Sequence, residues 1–180
     1  MVGLALSALL ILVAGNYYFK NSDEIGCSVG SGESCLILAK QYGRLDGRER
    51  PSVGEAVSYY RKACDNGSME GCAYLGRAYF LGSGALAEDQ KQALSLYKQS
   101  CEGAAMRGCV NLGRMNQFGL AGLPKDEKKA VAYYQRGCGA GYLEGCANLG
   151  YVTYYGLGGV TRDKREAANL FKRACDGTAM

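Results

Sequence analysis

The chain has 180 residues, 48% of them hydrophobic and 21% charged, with a net charge of +4. That balance excludes both a disordered tract and a membrane bundle. There is no histidine, which excludes histidine acid/base catalysis and histidine-ligated metal.

From the start, Met1 to Gly15 is uncharged and almost wholly apolar. A run of that length suits the core of an export signal better than a full span, which needs about 20 residues. Residues 1–15 are therefore expected to be a signal peptide, with Val13, Ala14 and Gly15 as small residues at the cleavage site, or else a short anchor. If retained, Tyr17, Tyr18 and Phe19 would sit at a membrane interface, and residues 1–19 are the only expected membrane contact. Residues 16–32 are expected to form a linker and a degenerate N-terminal cap, because Tyr18 to Gly26 shows no helical pattern.

From Glu33 a period of 37 residues governs the chain. Its cysteines fall in two series, Cys27, Cys64, Cys101, Cys138 and Cys175, and Cys35, Cys72, Cys109 and Cys146, eight residues apart within each copy. An uninterrupted period of this size is the signature of a repeat array in which one supersecondary unit stacks on the next. Cys72, Leu75, Gly76 and Tyr79 lie on one face of a helix, here helix A. Glycines at 82, 119 and 156 should end it, and Asp89, Asp126 and Asp163 should cap the next helix, B, as Ser52 should in the first copy. Ser52 with Glu55, and Asp163 with Glu166, have the offset of a capping box. Helix B repeats an Ala, an aliphatic or Ala, and an aromatic at Ala56, Val57 and Tyr60, then at Ala93, Leu94 and Tyr97, at Ala130, Val131 and Tyr134, and at Ala167, Ala168 and Phe171. Small and large residues held in fixed slots describe an interlocking core, with Gly76, Gly113 and Gly150 of helix A allowing close approach. Residues 33–180 thus read as an all-α solenoid of about four helix pairs.

The basic residues follow the same period. Arg61 and Lys62, Lys98, Arg136, Lys172 and Arg173 precede first-series cysteines, where cations complement the negative end of a helix. This spread argues against a nucleic-acid partner, which needs clustering on one face.

The cysteine spacing does not match a zinc site, and no metal or cofactor is expected. Disulfides and reduced core thiols are the remaining readings. An eight-residue reversal brings chain ends within disulfide range, so the expected bonds are Cys27–Cys35, Cys64–Cys72, Cys101–Cys109 and Cys138–Cys146. Each joins the end of one helix B to the start of the next helix A and is worth roughly 2.6 kcal/mol by loop entropy. Cys175 is left unpaired. Met180 occupies the slot of Met69, Met106 and Leu143, so the sequence reads as a piece of a longer array.

The pattern Cys-Ala-Asn-Leu-Gly, a glycine-rich turn ending in Asp, then Ala-x-x-aromatic-x-x-Ala-Cys resembles the Sel1-like repeat, a relative of the tetratricopeptide repeat. With two cysteines eight apart it is similar to the secreted Helicobacter cysteine-rich protein family. The resemblance implies a right-handed α/α solenoid that binds proteins or peptides. It also implies, as an alternative, the weak β-lactamase or penicillin-binding activity assigned to some members.

Two sets of residues carry those alternatives. Ser95 and Lys98 form a Ser-x-x-Lys, the nucleophile and base of serine β-lactamases. Their slots drift through Ser58, Ser95, Ala132 and Asn169, and through Arg61, Lys98, Gln135 and Lys172, and the companion motifs are absent. They remain weak catalytic candidates, and the chain leans away from an enzyme. Helix A exposes Tyr74, Asn111 and Asn148 in one row and Arg77, Arg114 and Tyr151 in the next. These are the binding candidates, because Asn pairs with both donors and acceptors of an extended peptide and Arg forks onto carboxylates. Asn111 and Asn148 have a competing role as braces for nearby loops. The expected protein is secreted or periplasmic.

Overall fold

The computed structural model describes residues 22–43 and 53–177. The apolar leader, the Ser52 cap and Met180 lie outside the described residues. Helix α1 covers residues 22–28. It is followed by α2 (Gly32–Tyr42), α3 (Val53–Asp65), α4 (Met69–Leu81), α5 (Gln90–Glu102), α6 (Met106–Phe118), α7 (Glu127–Gly139), α8 (Leu143–Tyr155) and α9 (Lys164–Asp176). No helix among the described residues is long and apolar enough to cross a membrane. The even-numbered helices are A and the odd-numbered ones B.

Each helix packs on the next in the chain, and the A/B pairs α2/α3, α4/α5, α6/α7 and α8/α9 make the most extensive contacts. Helices A also touch across repeats, α2 to α4, α4 to α6 and α6 to α8, while helices B make no comparable contact. Helices A are therefore the more closely spaced set, and they line the inside of the curve.

The helix ends follow from local chemistry. Gly82, Gly119 and Gly156 close α4, α6 and α8 in the left-handed conformation, where a glycine is least strained. Asp89, Asp126 and Asp163 cap α5, α7 and α9 through side chains that accept from first-turn N–H groups. The expected capping box at Asp163 is half formed. Its carboxylate accepts from Glu166 N, but its own N–H donates to Thr153 O on helix A rather than to Glu166. The same bond recurs from Asp89 to Tyr79 O and from Asp126 to Asn116 O. Docking helix B on the preceding helix A thus takes the donor that the box would have used.

The core is built from glycine and aromatic slots. A β-carbon on Gly76, Gly113 or Gly150 would lie within 3.0 Å of the ring of Tyr97, Tyr134 or Phe171. Tyr97 and Tyr134 are 3% and 0% exposed. In the first repeat Ala39 stands in the glycine slot, and the matching ring, Tyr60, is only half-buried and stacks on Tyr74 at 4.8 Å between centroids. In α9, Ala168 and Phe171 are exposed where the face predicts burial, and Leu170 is buried instead. No element among the described residues covers their outer side.

All four expected disulfides are present, with Cα atoms 4.4 to 4.6 Å apart, and Cys175 is free and exposed. So close a crossing needs a small residue before each cysteine. Gly71 abuts Ala63, Gly108 abuts Ser100, and Gly145 abuts Gly137. In the first copy the sizes are reversed, with Ser34 against Gly26. That contact and the Cys27–Cys35 bond fasten α1 to α2, which makes residues 22–28 helical where the sequence pattern predicts none.

The periodic cations act on a neighbour as well as on their own helix. Arg136 donates to Cys101 O at 3.2 Å and Arg173 to Cys138 O at 3.4 Å, the last-turn carbonyls of the previous helix B. A guanidinium there meets carbonyls that the helix itself leaves unpaired.

Candidate binding face

Positions i, i+4, i+7 and i+11 of a helix share one face. On α4 they are Glu70, Tyr74, Arg77 and Leu81; on α6, Arg107, Asn111, Arg114 and Phe118; on α8, Glu144, Asn148, Tyr151 and Tyr155. Stacking three helices A side by side turns these into four rows across the inside of the curve. Tyr74, Asn111 and Asn148 are half-buried, and Arg77, Arg114 and Tyr151 are exposed.

The last row was not anticipated. Leu81, Phe118 and Tyr155, the final residues of their helices, are 57%, 58% and 55% exposed. Large apolar side chains left in water at the same slot of three repeats form an apolar row across helices A. The signal was present in the sequence, one helical turn beyond the Arg77 row.

The first row carries alternating charge, and Arg107 is its centre. Its Nε donates to Glu70 at 2.9 Å, and a terminal nitrogen lies 4.0 Å from Glu144. Its guanidinium lies 4.2 Å from the Tyr74 ring centroid and 5.5 Å from that of Tyr142. Burial works against the Arg107 charge, but the bond to Glu70 and the surrounding groups outweigh it and raise its pKa. Tyr142 donates to Glu144, and burial, helped by that carboxylate, raises its pKa as well. Arg107 escaped the sequence reading because Glu70, Arg107 and Glu144 look like drift within one slot.

Two cavities open between these rows. One, of about 230 Å³, lies between α4 and α6, with Arg77, Asn111 and Arg114 on its rim, Phe80, Leu81, Met115, Phe118 and Leu120 as apolar walls, and Tyr97 as buried lining. The other, of about 180 Å³, continues toward α8 past Asn111, Arg114, Glu144 and Asn148. Of the six predicted binding residues, Arg77, Asn111 and Arg114 line the first cavity, and Asn111, Arg114 and Asn148 line the second. Tyr74 instead stacks on Tyr60 and under Arg107, and Tyr151 packs against Tyr155. Neither Asn111 nor Asn148 has a side-chain hydrogen bond among the described residues. Asn116 bonds within its own helix, to Leu112 O at 2.8 Å. Ser95 and Lys98 are exposed on α5, outside both cavities.

A model of the Sel1 repeat matches residues 32–68, 70–104, 107–142 and 143–178. The chain belongs to the Sel1 repeat family. Among solved structures, this Sel1 array is similar to c5321, a protective antigen of uropathogenic Escherichia coli with an SLR fold, at 25% identity and a TM-score of 0.70 over 87% of this chain and 33% of that one. A Sel1 repeat protein from Oxalobacter formigenes shares its fold at 23% identity and a TM-score of 0.72, over 89% of this chain and 62% of that one. Helicobacter pylori cysteine rich protein B is 30% identical with a TM-score of 0.52, over 73% of this chain and 92% of that one. The Sel1 array thus spans a third of the first relative and less than two thirds of the second. No curated protein sequence matches it.

Proposed function

We propose that this Sel1 repeat protein is an exported binding protein that takes other proteins or peptides on the face built by helices A. The observation that carries this reading is the apolar stripe Leu81, Phe118 and Tyr155 lying beside exposed Arg77 and Arg114 and unpartnered Asn111 and Asn148. An apolar anchor row flanked by amide and guanidinium groups suits an extended chain. The amides bond its backbone, the arginines its acidic groups, and the stripe its apolar side chains. Sel1 and related repeats generally mediate protein–protein contacts, which supports the same reading. Four disulfides, and likeness to a cysteine-rich protein of Helicobacter pylori, support an oxidising compartment outside the cytosol.

The test is capture of native partners by the full oxidised chain beside a variant with Arg77, Asn111, Arg114 and Phe118 all replaced by Ala. Loss of the captured proteins in the variant is expected, and an unchanged set overturns the reading. Thiol alkylation of protein recovered from its native compartment checks export separately. One reactive thiol is expected, from Cys175, and nine would place the chain in a reducing compartment.

A further inference from the structure

Tyr97 and Tyr134 occupy the same slot in consecutive repeats, but only one of them has a partner for its hydroxyl. Tyr134 donates to Gln117 Oε1 at 2.7 Å. The residue equivalent to Gln117 beside Tyr97 is Phe80, which offers no acceptor. Tyr97 is 3% exposed, lines the larger cavity and has no hydrogen-bond partner among the described residues. Among the described residues the fully enclosed side-chain polar atoms without a partner are Ser100 Oγ and Arg173 Nε, so the Tyr97 hydroxyl instead opens onto the cavity and can bond a group that enters it.

The charges around that hydroxyl indicate what that group is. Arg77, Arg107 and Arg114 all bear electrostatically on the Tyr97 phenol. Arg107 is engaged by Glu70, but Arg77 and Arg114 have no acidic partner among the described residues. Glu144 stands on the α8 side, bonded by Tyr142 and facing Arg107, and leaves the cationic charge in excess. Phe80, Met115 and Phe118 supply apolar walls. Among the polar side chains that line the cavity, the arginines can only donate, the Tyr97 hydroxyl can donate or accept, and the acceptors are the Asn111 carbonyl and the Glu144 carboxylate.

We infer that the cavity between α4 and α6 is a pocket for a carboxylate on an apolar stem, supplied by an acidic side chain beside an aromatic one within an extended peptide. One carboxylate oxygen accepts from the Tyr97 hydroxyl, the other from Arg77 or Arg114, and the neighbouring ring lies on Phe118. An internal acidic residue fits better than a chain terminus because the rows continue past the cavity on both sides, to Tyr74 and to Asn148. This specifies the ligand of the proposed binding face and rests on that reading.

The test titrates the full oxidised chain into three fluorescent peptides and follows anisotropy. The first has one Glu between two Phe with both ends blocked, the second has Gln for that Glu, and the third is the Gln peptide with a free C-terminal acid. The blocked Glu peptide should bind about tenfold tighter than its Gln counterpart, as charge-assisted bonds do. Tyr97→Phe, which keeps the ring, and Arg114→Gln should each remove most of that preference. Lys98→Gln, which removes a charge from exposed α5, should leave it intact. Equal binding of the Glu and Gln peptides, or no binding of either, overturns the inference. Preference for the free-acid peptide over the blocked Glu peptide overturns the assignment to an internal side chain. Native-partner capture that persists after any of these failures leaves the broader binding reading standing without this pocket.

Discussion

Gly113 on α6 faces Tyr134 on α7 so closely that a β-carbon on the glycine would lie 2.6 Å from Tyr134 Cε1. The ring cannot retreat freely, because it is fully buried and its hydroxyl is held by Gln117. Gly113→Ala is therefore expected to cost about 1–3 kcal/mol, as overpacking does. Calorimetry should show the melting temperature falling by about 2–4 °C per kcal/mol. The natural Ala39 shows the structural outcome, since its partner Tyr60 sits half in solvent and stacks on Tyr74 instead. An unchanged melting temperature would mean that the Tyr134 slot has more room than its burial implies.

Two alanines stand where the other repeats use glycine. Ala104 has φ 63° and Ala121 φ 57°, while Gly67 and Gly141, and Gly84 and Gly158, hold the equivalent slots with positive φ. A β-carbon in this region costs about 1–2 kcal/mol, and glycine gives back about 0.4–1 kcal/mol through unfolded-chain entropy. Ala104→Gly and Ala121→Gly are each expected to raise stability by roughly half to one kcal/mol. Denaturant midpoints measured on the oxidised single variants and the double variant check this, and the two gains should add.

The Arg107–Glu70 pair joins consecutive repeats, with Arg107 only 16% and Glu70 33% exposed at their side chains. A double-mutant cycle of Glu70→Gln and Arg107→Gln should give a coupling of about 1 kcal/mol, above the range of most exposed pairs. The coupling should persist in high salt, because the arginine is enclosed between Tyr74 and Tyr142. A coupling that vanishes with salt would place the pair among ordinary surface contacts.

Acid should loosen the loop that docks the α8–α9 connection onto α7. Glu127 accepts from Lys125 and from the Gly158 N–H at 3.2 Å, and these bonds lower its pKa from the ordinary value of 4.5. A lowered folded-state pKa contributes stability that is full above about 4.5 and is lost as pH falls through the lower folded value. Glu127→Gln should therefore be less stable than the natural chain at pH 7, and the difference should close as the pH drops below about 4. Melting curves of both proteins from pH 7 down to 2.5 measure it. A gap that stays constant through that range would mean that the charge on Glu127 contributes nothing.

The architecture was readable because repetition averages over local accidents. Three good copies of one helix pair set the period, the caps at Asp89, Asp126 and Asp163, the disulfide partners and the packing of Tyr97 on Gly76 and Tyr134 on Gly113. The binding face was readable only in part, because a face that differs between repeats is indistinguishable from drift when only slots are compared. The change from Glu70 to Arg107 to Glu144 is an example, and it became an interaction only when neighbouring helices brought the three together. The unpartnered Tyr97 hydroxyl was hidden for a different reason. It depends on Phe80 replacing Gln117 one repeat earlier, on a helix that faces it only after folding. The half-formed capping box at Asp163 shows the same limit, since its N–H is claimed by a carbonyl of a different helix.

The units that pack and the units that are covalently joined are out of step by one helix. Helix A packs most extensively on the B that follows it, whereas each disulfide ties a B to the A after that. A protease that cuts between Cys101 and Cys109, in the turn around Ala104, releases no fragment, because the two sides stay joined through sulfur. A cut between Gly119 and Lys125 has no such bridge across it and leaves only packing to hold the halves. In a protease-rich setting the array therefore has one class of turn that tolerates scission and another that does not, in alternation along its length.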